Sequence, residues 1–251
     1  MLDIYGVTDI GCVRKRNEDF IHWQALGGDG HYLAVLADGM GGYAGGSMAS
    51  RLAVEYFTKC LMSSFSYDAN DSNDKIANQL LEAGTLANRA VRQQRQEHHE
   101  FEKMGTTLLV MLILNDEYWL MHAGDSRCYR LSEHSLQPMT RDHSLVQELL
   151  DKGSITEEEA ERAPFKNMLT RAVGPDKSVR YSLAKHNVNS GDSWLLCSDG
   201  LYNTLPSLRI SELMQQRVPA KAVAQSLVEE SLKHNAQDNV SVIVVQPEYR
   251  E

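Results

Sequence analysis

Acidic residues recur in this chain at the ends of apolar runs, where several side chains could meet. Asp38 follows the run YLAVLA, Asp199 follows SWLLCS, and a glycine comes directly after each. Carboxylates that converge repel one another unless cations lie between them. Mg²⁺ and Mn²⁺ prefer oxygen ligands of this kind. The two aspartates are therefore candidate ligands of a divalent metal, although either one alone is better explained as a turn or cap residue.

Further acidic residues lie at the edges of other apolar or alternating runs. If these runs are strands of a sandwich, five places along the chain could send a carboxylate to one end of it. The joint pattern favours a shared metal site over five separate turns. The further positions are Glu18 and Asp19 in NEDFI, Asp125 in HAGDSRCY and Asp238 in QDNVSVIVV.

The loop after Asp38 is rich in glycine, which permits positive φ and a close approach of the backbone to a bound group. Its GMGGYA satisfies the dinucleotide pattern G-x-G-x-x-A, but the helix that follows leads to the polar SSFSYDANDSND and a second helix, not to a strand. Asp38 would also repel a pyrophosphate. GGYAGGS has the glycine spacing of a P-loop without its lysine. Both phosphate-loop hypotheses are weaker than the metal hypothesis, and nucleotide binding stays a distant alternative.

Composition limits the function classes. The 251 residues are 42% hydrophobic and 24% charged, as in a globular protein with a real core, and the net charge of −9 argues against nucleic acid as the main partner. A solvated acidic surface explains that charge as well as cation-neutralised carboxylates do. Cys12, Cys60, Cys128 and Cys197 are too dispersed for a zinc site or a disulfide framework, which indicates reduced thiols in a cytoplasmic protein. We see no signal peptide and no membrane-spanning run.

The order of predicted elements favours mostly antiparallel sheets covered by helices, because helices do not alternate one by one with strands. Helices are predicted from about Ala44 through MASRLAVEYFTKCL, from about Asp74 to Gln96, and over PAKAVAQSLVEESLKHN with Pro219 at its start. A further helix is expected after Asp199. The predicted strands are IYGVTDI, FIHWQAL, YLAVLAD, TTLLVMLIL, EYWLMHAG, RCYRL, SWLLCSD and VSVIVVQ.

We expect residues 1–251 to form one domain, since no repeat and no low-complexity linker interrupts the chain. The segment 143–175 is the least regular, and its LVQELLDKGSITEEEAERAP predicts short helices. A mobile flap over a site and an ordinary helical insertion explain it equally well.

A series of motifs resembles that of the metal-dependent PP2C-type (PPM) protein serine/threonine phosphatases, in the compact bacterial form. The resemblance covers essentially the whole chain, and eight motifs in the right order are more specific than any one glycine loop. The motifs are VRKRNED (13–19), LADGMGGYAGGSMAS (36–50), MGTTLL (104–109), AGDSRCY (123–129), TRDHS (140–144), LTRAVG (169–174), LLCSDGLY (195–202) and QDNVSVIVV (237–245).

The resemblance implies an α+β fold, a four-layer αββα sandwich of two mostly antiparallel sheets flanked by helices. It also implies two Mn²⁺ or Mg²⁺ ions per chain between the sheets, with a third, weaker site. By motif position, the metal-binding set is Asp38 bridging both ions, the Gly39 carbonyl on the second, Asp199 and Asp238 on the first, Glu18 and Asp19 near the second, and Asp125 on the third.

The same resemblance makes Arg14 the residue that binds the substrate phosphate, beside Asp38 as the central catalytic carboxylate. The chemistry agrees, because two cations can activate a shared water and a guanidinium suits bidentate phosphate binding. Arg16 is the rival for the phosphate, and a solvated surface position is its better explanation. No cysteine nucleophile is required.

This chain departs from the mammalian relatives at the residue that is proposed to donate a proton to the leaving group. Mammalian relatives carry a histidine directly after the Asp-Gly, whereas this chain has Met40, as bacterial members do, and a thioether donates no proton. The general acid is therefore unassigned, with a metal-bound water as the simplest candidate. His122 and His143 lie in or beside motifs, but packing or hydrogen bonding is their more common role.

These features predict a cytoplasmic bacterial phosphatase that removes phosphate from serine and threonine of proteins and opposes a protein kinase. We expect a monomer that binds neither nucleic acid nor membrane. The first alternative is a catalytically weak phosphoprotein-binding regulator on the same fold, and the second is a hydrolase of a small phosphorylated molecule.

Overall fold

Two antiparallel sheets pack face to face in the computed structural model, which describes residues 1–27, 30–41, 45–64 and 72–248. The first sheet has the order β1 (Leu2–Asp9), β11 (Val240–Pro247), β10 (Ser193–Cys197), β7 (Arg127–Ser132) and β8 (Ser135–Pro138). The second has the order β2 (Asp19–Ala25), β3 (His31–Met40), β5 (Leu108–Leu114), β6 (Glu117–Ala123) and β9 (Ser182–Asn187), with the short β4 (Gly105–Thr106) beside the end of β3.

Helices cover the outer face of each sheet. Those on the second sheet are α1 (Gly45–Ser64) and α2 (Asn73–Glu97), followed by a single 3₁₀ turn at His99–Phe101. Those on the first sheet are α5 (Asp199–Tyr202), α6 (Ser207–Met214) and α7 (Ala220–Lys233). The remaining two, α3 (Leu145–Asp151) and α4 (Glu157–Arg162), lie between β8 and β9 in the chain. Across the described ranges, we find no helix with both the length and the apolar character that crossing a bilayer requires.

The alternation of side chains along the strands builds three core layers. In β3, Leu33 and Val35 pack on the helices of the second sheet, while Ala34 and Leu36 face the other sheet. Successive strand residues point to opposite faces, so a strand buried on both sides reads as a continuous apolar run. Trp194 in β10 belongs to the layer between the sheets. The αββα architecture expected from the sequence is confirmed.

All eight predicted strands are present, and the unpredicted ones have sequences that give little signal. β9 reads SLAKHN and β8 reads SLQP, and both lie at sheet edges, where polar residues and proline are tolerated. Neither strand is buried on both faces, so polar residues are accepted along it. Neither sequence therefore contains a continuous apolar run. Edge position therefore explains why the sequence pattern misses them.

The predicted helices are also present, with small differences at their ends. The predicted start near Ala44 lies outside the described residues, as do Gly42 and Tyr43 of the glycine-rich loop. Pro219 is the residue before the first turn of α7. The apolar run at Asp38 does not end there, because β3 continues to Met40, and its last two residues pair with β4. Asp38-Gly39 is thus part of a strand and not a hairpin turn.

The segment 143–175 contains the short helices that its sequence predicts. Val146 in α3 and Ala160 in α4 pack together in a small cluster of their own, separate from the three main layers. Both ends of the segment are bound to the second sheet: the His143 N–H donates to the carbonyl of Gly124, which follows β6, and Val173 pairs with Thr106 of β4. The segment is therefore an independently packed unit on fixed ends.

Candidate metal centre

Asp38 lies near the end of β3, where the strand register sets it opposite Asp19 at the start of β2. Thr107 fixes the backbone of Asp38 from the other side: its Oγ1 accepts the Asp38 N–H at 2.8 Å, and its N–H donates to the Asp38 carbonyl at 2.9 Å. The Asp38 side chain is thus attached to a backbone that is hydrogen-bonded on both edges. This arrangement delivers a carboxylate from the second sheet to the end of the sandwich.

Three more aspartates reach the same end from segments that adjoin strands of the first sheet. Asp199 is the first residue of α5, Asp125 lies in the connection from β6 to β7, and Asp238 directly precedes the Asn239 that leads into β11. The Tyr202 hydroxyl donates to the Asp125 carbonyl at 3.0 Å. Each of these carboxylates therefore lies just before or just after a buried strand, and that strand fixes its position.

A cavity of about 220 Å³ opens at the point where these elements meet. Every predicted metal or phosphate ligand lines it except Asp19, whose side chain is buried and accepts a 2.7 Å hydrogen bond from Ser198 Oγ. The lining residues are Arg14, Glu18, Asp38, Gly39, Met40, Gly41, Thr107, Asp125, Asn167, Leu169, Asp199 and Asp238.

The buried carboxylates repel one another, which raises their pKa values. Burial, and then the charges of Asp19, Asp199, Asp125 and Asp238, hold the pKa of Asp38 well above its ordinary value. Burial followed by the neighbouring acids raises the pKa of Asp199 to about 8. Burial is also the main cause that raises the pKa values of Asp19 and Asp125 to about 6 each. Such a group is stabilised in its ionised form only when positive charge lies close to it.

Close backbone packing requires a glycine at position 39, directly after Asp38. A Cβ on Gly39 would lie 2.1 Å from the Gly46 carbonyl oxygen and 2.6 Å from that of Glu18. The Glu18 carbonyl accepts hydrogen bonds from the Gly39 N–H at 3.1 Å and from Ser50 Oγ at 2.6 Å. Burial raises the pKa of the Glu18 carboxyl, and Arg14 opposes that shift. The glycines thus bring α1 and the loop of residue 18 against the strand that carries Asp38.

Arg14 lies at the same cavity and donates from Nη2 to Asp238 Oδ2 at 2.6 Å. This hydrogen bond is the main cause that raises the pKa of the Arg14 guanidinium. The side chains are 51% and 35% exposed, so the pair contributes little to stability. Arg14 is therefore beside the carboxylates, as expected for a phosphate-binding residue, and is held by one of the candidate ligands.

The donor set fits hard divalent cations, since every candidate ligand atom is an oxygen. Within the described ranges, however, no three acidic, histidine or cysteine side chains are arranged to hold one ion as they stand. Asp238 accepts its hydrogen bond from Arg14 there, and the charges of the neighbouring carboxylates raise the pKa of Asp38. The composition of the site therefore fits divalent cations.

Asn239 is a supporting residue that the sequence did not single out, although it lies in a quoted motif. Its Nδ2 donates to the carbonyls of Ile10 and Arg16 at 2.9 Å each, and its Oδ1 accepts the Glu18 N–H at 2.8 Å. The side chain thereby holds the loop that carries Arg14 and Glu18 against β11. No sequence pattern shows this role, because the partners are backbone groups more than 200 positions away.

Replacing Asn239 by alanine is expected to destabilise the protein by about 2–4 kcal/mol, since it removes three hydrogen bonds and leaves buried backbone groups unpaired. Urea unfolding measures the change. Gln237→Ala, an exposed substitution in the same loop, is the matched control and should cost less than about 0.5 kcal/mol. Equal unfolding midpoints for the two variants would show that Asn239 does not hold the loop.

The two histidines in the motifs have packing and hydrogen-bonding roles, as expected. Their rings stack with centroids 4.4 Å apart; His122 Nε2 contacts the Arg141 carbonyl oxygen at 3.0 Å, and His143 Nε2 contacts Ser182 Oγ at 2.9 Å. Burial, His122 and nearby arginines lower the pKa of His143 to about 3. Neither ring lines the cavity.

The cysteines also agree with the sequence prediction. All four are free thiols, and Cys128 and Cys197 are buried. None of them lines the cavity at Asp38. Their chemistry therefore plays no part in the candidate site.

The raised carboxyl pKa values predict an unusual pH dependence of the metal-free protein. Above pH 6.5 an unfolded chain has ionised aspartates, while Asp199, whose pKa is raised to about 8 in the folded protein, still binds a proton there. Burial and the neighbouring acids raise the pKa of Asp38 in the same direction. The folded state then binds more protons, so the protonated Asp199 alone lowers stability by up to about 1.4 kcal/mol per pH unit as the pH rises toward 8. We expect the melting temperature after EDTA treatment to fall by several degrees between pH 6.5 and 8.

Added Mn²⁺ is expected to remove this decline, because cations stabilise the ionised carboxylates. Differential scanning fluorimetry at matched ionic strength measures both curves. Asp116→Asn, at an exposed aspartate far from the cavity, is the control and should follow the parent. A metal-free melting temperature that rises over this pH range would contradict the assigned pKa directions.

Comparison with known proteins supports one family. Residues 13–238 match the sequence model of the family described as Protein phosphatase 2C. The chain is 31% identical over 244 residues to the protein phosphatase PhpP of Streptococcus pneumoniae, covering 97% of each. It is 35% identical over 237 residues to the serine/threonine protein phosphatase PstP of Mycobacterium tuberculosis, covering 94% of this chain and 43% of PstP. The chain thus spans less than half of PstP.

Solved structures share the fold over the full chain. The serine/threonine phosphatase of S. agalactiae superposes with a TM-score of 0.89 at 33% identity, covering 99% of this chain and 100% of its own. The catalytic domain of PstP in complex with two manganese ions superposes with a TM-score of 0.82 at 33% identity, covering 98% and 97%. Similarity at this level extends to the whole sandwich and not only to its motifs.

Proposed function

The chain belongs to the protein phosphatase 2C family, and we propose that it removes phosphate from phosphoserine and phosphothreonine of proteins. One observation carries this proposal: buried, mutually repelling carboxylates from separate parts of both sheets line one cavity beside an arginine. A cavity of that composition stabilises cations and a phosphate together. The named phosphatases to which the chain is similar support the same activity.

The candidate metal ligands divide between two ions. Asp38 would bridge them, with Asp199 and Asp238 on the first ion and the Gly39 carbonyl on the second. Glu18 and Asp19 would act near the second. When bound, such cations supply a water that is activated at neutral pH. The two manganese ions in the PstP catalytic domain support this number of ions. A third, weaker ion at Asp125 is part of the proposal, and the raised pKa of that carboxyl supports it.

Arg14 would bind the phosphate of the substrate. Its guanidinium is permanently charged and forked, and it lines the cavity at hydrogen-bonding distance from Asp238. Releasing Asp238 to a metal frees the same guanidinium for phosphate oxygens. A single movement of the Arg14 side chain would therefore free Asp238 for a metal and the guanidinium for the substrate phosphate.

The rest of the proposal concerns context. Residues 1–251 would form one domain in which the flap segment (residues 143–175) lies over the cavity, since its Asn167 and Leu169 line it. The partners would be phosphorylated proteins and a Ser/Thr kinase whose action the enzyme opposes, with the chain working as a monomer. Free thiols support a reducing compartment such as the cytoplasm, and the net charge of −9 speaks against nucleic acid.

Phosphate release from a phosphothreonine peptide, with and without Mn²⁺ after EDTA stripping, tests the proposal. We expect release only with metal. A folded sample that binds the phosphopeptide without releasing phosphate would indicate the regulator instead. Release from small phosphate esters alone, with none from peptides or phosphoproteins, would indicate the small-molecule hydrolase.

A further inference from the structure

The short strand β4 lies between the end of β3 and the last residues of the flap segment. One edge of β4 pairs with Gly39 and Met40 of β3. On the other edge, the N–H of Thr106 donates to the Val173 carbonyl at 3.0 Å, and the Val173 N–H donates to the Thr106 carbonyl at 2.8 Å. A strand of two residues is too short to be stable by itself. The position of β4 therefore depends on the residues that fix Val173.

The backbone of Asp38 is held by β4 and the residue that follows it. Thr106 Oγ1 donates to the Asp38 carbonyl at 2.9 Å. Thr107, directly after β4, bonds both the N–H and the carbonyl of Asp38. Thr107 Oγ1 also contacts Ser126 Oγ at 2.7 Å, and Ser126 is the neighbour of Asp125 in the chain. A displacement of β4 therefore displaces the backbone that carries the central carboxylate.

A buried asparagine on α2 fixes the turn that follows Val173. Asn88 Oδ1 accepts the Gly174 N–H at 2.7 Å. Asn88 Nδ2 donates to the carbonyls of Asp176 and Lys177 at 3.1 and 3.3 Å. The side chain lies on the buried face of α2, where a polar group is stable only when it is hydrogen-bonded. Both polar atoms of the amide are thus bound to a single turn.

Two arginines bind the same turn from positions further along α2. They follow Asn88 by four and seven residues, a spacing that places all three side chains on one face of the helix. Arg92 Nη1 and Arg95 Nη1 both donate to the Pro175 carbonyl, at 3.1 and 2.8 Å. Arg95 Nε also donates to the carbonyl of Glu102, which shortly precedes β4 in the chain. Helix α2 therefore holds both the chain that enters β4 and the turn beside it.

From this series of contacts, we infer that Asn88 is a positioning residue for the metal centre. It fixes the turn at residues 173–177, the turn fixes β4, and β4 fixes the backbone of Asp38 and Gly39. The inference rests on the proposed function, since it needs the metal centre that the proposal assigns. Arg92 and Arg95 support the same turn from half-buried positions. None of these three α2 side chains lines the cavity, so they act on the ligands only through the backbone.

Asn88→Ala tests this inference. It should lower Mn²⁺ affinity, measured by titration calorimetry, by about 10-fold, the lower end of the effect that residues supporting metal ligands have. In the metal-free protein, amide hydrogen exchange should accelerate more at Thr106 and Thr107 than at Leu112 in β5, because those two N–H groups donate to the Val173 and Asp38 carbonyls. Arg95→Ala should change Mn²⁺ affinity in the same direction by a smaller factor, which covers the case in which Asn88→Ala fails to fold.

Leu80→Ala is the matched control for a loss of stability alone. Leu80 is fully buried on the same helix, about two turns before Asn88. The substitution should lower the melting temperature through the cavity it creates and leave Mn²⁺ affinity at the parent value. Parent affinity in Arg95→Ala and in a folded Asn88→Ala, or an equal loss in Leu80→Ala, would overturn the inference while leaving the metal centre intact. A parent that binds no Mn²⁺ would overturn the proposed centre and the inference with it.

Discussion

Replacing Asp38 by asparagine is expected to abolish metal-dependent phosphate release, lowering kcat by at least about 1,000-fold. The metal centre supplies several kcal/mol of transition-state stabilisation, and each 1.4 kcal/mol lost is about a factor of ten in rate. Asp38 is the carboxylate on which the charges of the four other buried or facing aspartates converge. Asparagine keeps its size and backbone bonds and removes the charge that would bridge two cations.

The same substitution should not unfold the protein. Removing a buried carboxylate whose pKa is raised relieves repulsion, so metal-free Asp38→Asn should melt at or above the parent temperature at pH 8. Phosphate release under saturating Mn²⁺ and thermal melting measure the two effects. Asp116→Asn serves as the control for loss of one exposed carboxylate. Release by Asp38→Asn at the parent rate would remove Asp38 from the site.

Replacing Arg14 by alanine is expected to lower kcat/KM for a phosphopeptide by about 10- to 100-fold, chiefly through KM. Charge-assisted hydrogen bonds to a phosphate are worth about 1.5–3 kcal/mol, which corresponds to this range. Arg14→Lys should recover only part of the loss, because an ammonium lacks the fork of a guanidinium. Steady-state kinetics on the phosphothreonine peptide measures both variants.

The ion pair with Asp238 gives Arg14→Ala a second signature. Without the guanidinium, Asp238 is free for metal, so Mn²⁺ affinity by titration calorimetry should stay equal or rise while KM rises. Arg16→Ala is the matched control, since Arg16 is exposed and its carbonyl, not its side chain, is held by Asn239. An unchanged KM for Arg14→Ala, or an equal rise in Arg16→Ala, would contradict the assigned role of Arg14.

The sequence predicts this fold well because its strands are buried on both faces. Runs such as LLVMLIL in β5 have no polar position, and they show as strands without knowledge of their partners. Edge strands such as β9 do not, since their residues are exposed or only half-buried and several of them are polar. The sequence predicts helix α2 nearly to its ends because its buried residues repeat along one face, and the structure adds a Ser72 cap before its first turn.

The sequence predicts which residues form the candidate site, but it does not predict the contacts between them. The acidic positions stand out as residues at strand edges, and the motif series assigns them to one place. The Arg14–Asp238 ion pair and the Asn239 clamp join residues at opposite ends of the chain. No periodicity or spacing encodes contacts between a loop near residue 14 and one near residue 238. The antiparallel pairing of β1 with β11 brings these loops together.

The carboxylates around Asp38 are expected to hold two divalent cations. Anomalous diffraction from crystals grown with Mn²⁺ tests it most directly. We expect two strong anomalous peaks in the cavity with the Asp38 carboxylate between them, Asp199 and Asp238 on one and the Gly39 carbonyl on the other. Peaks that avoid Asp38, or a cavity without any anomalous peak at saturating Mn²⁺, would contradict the account.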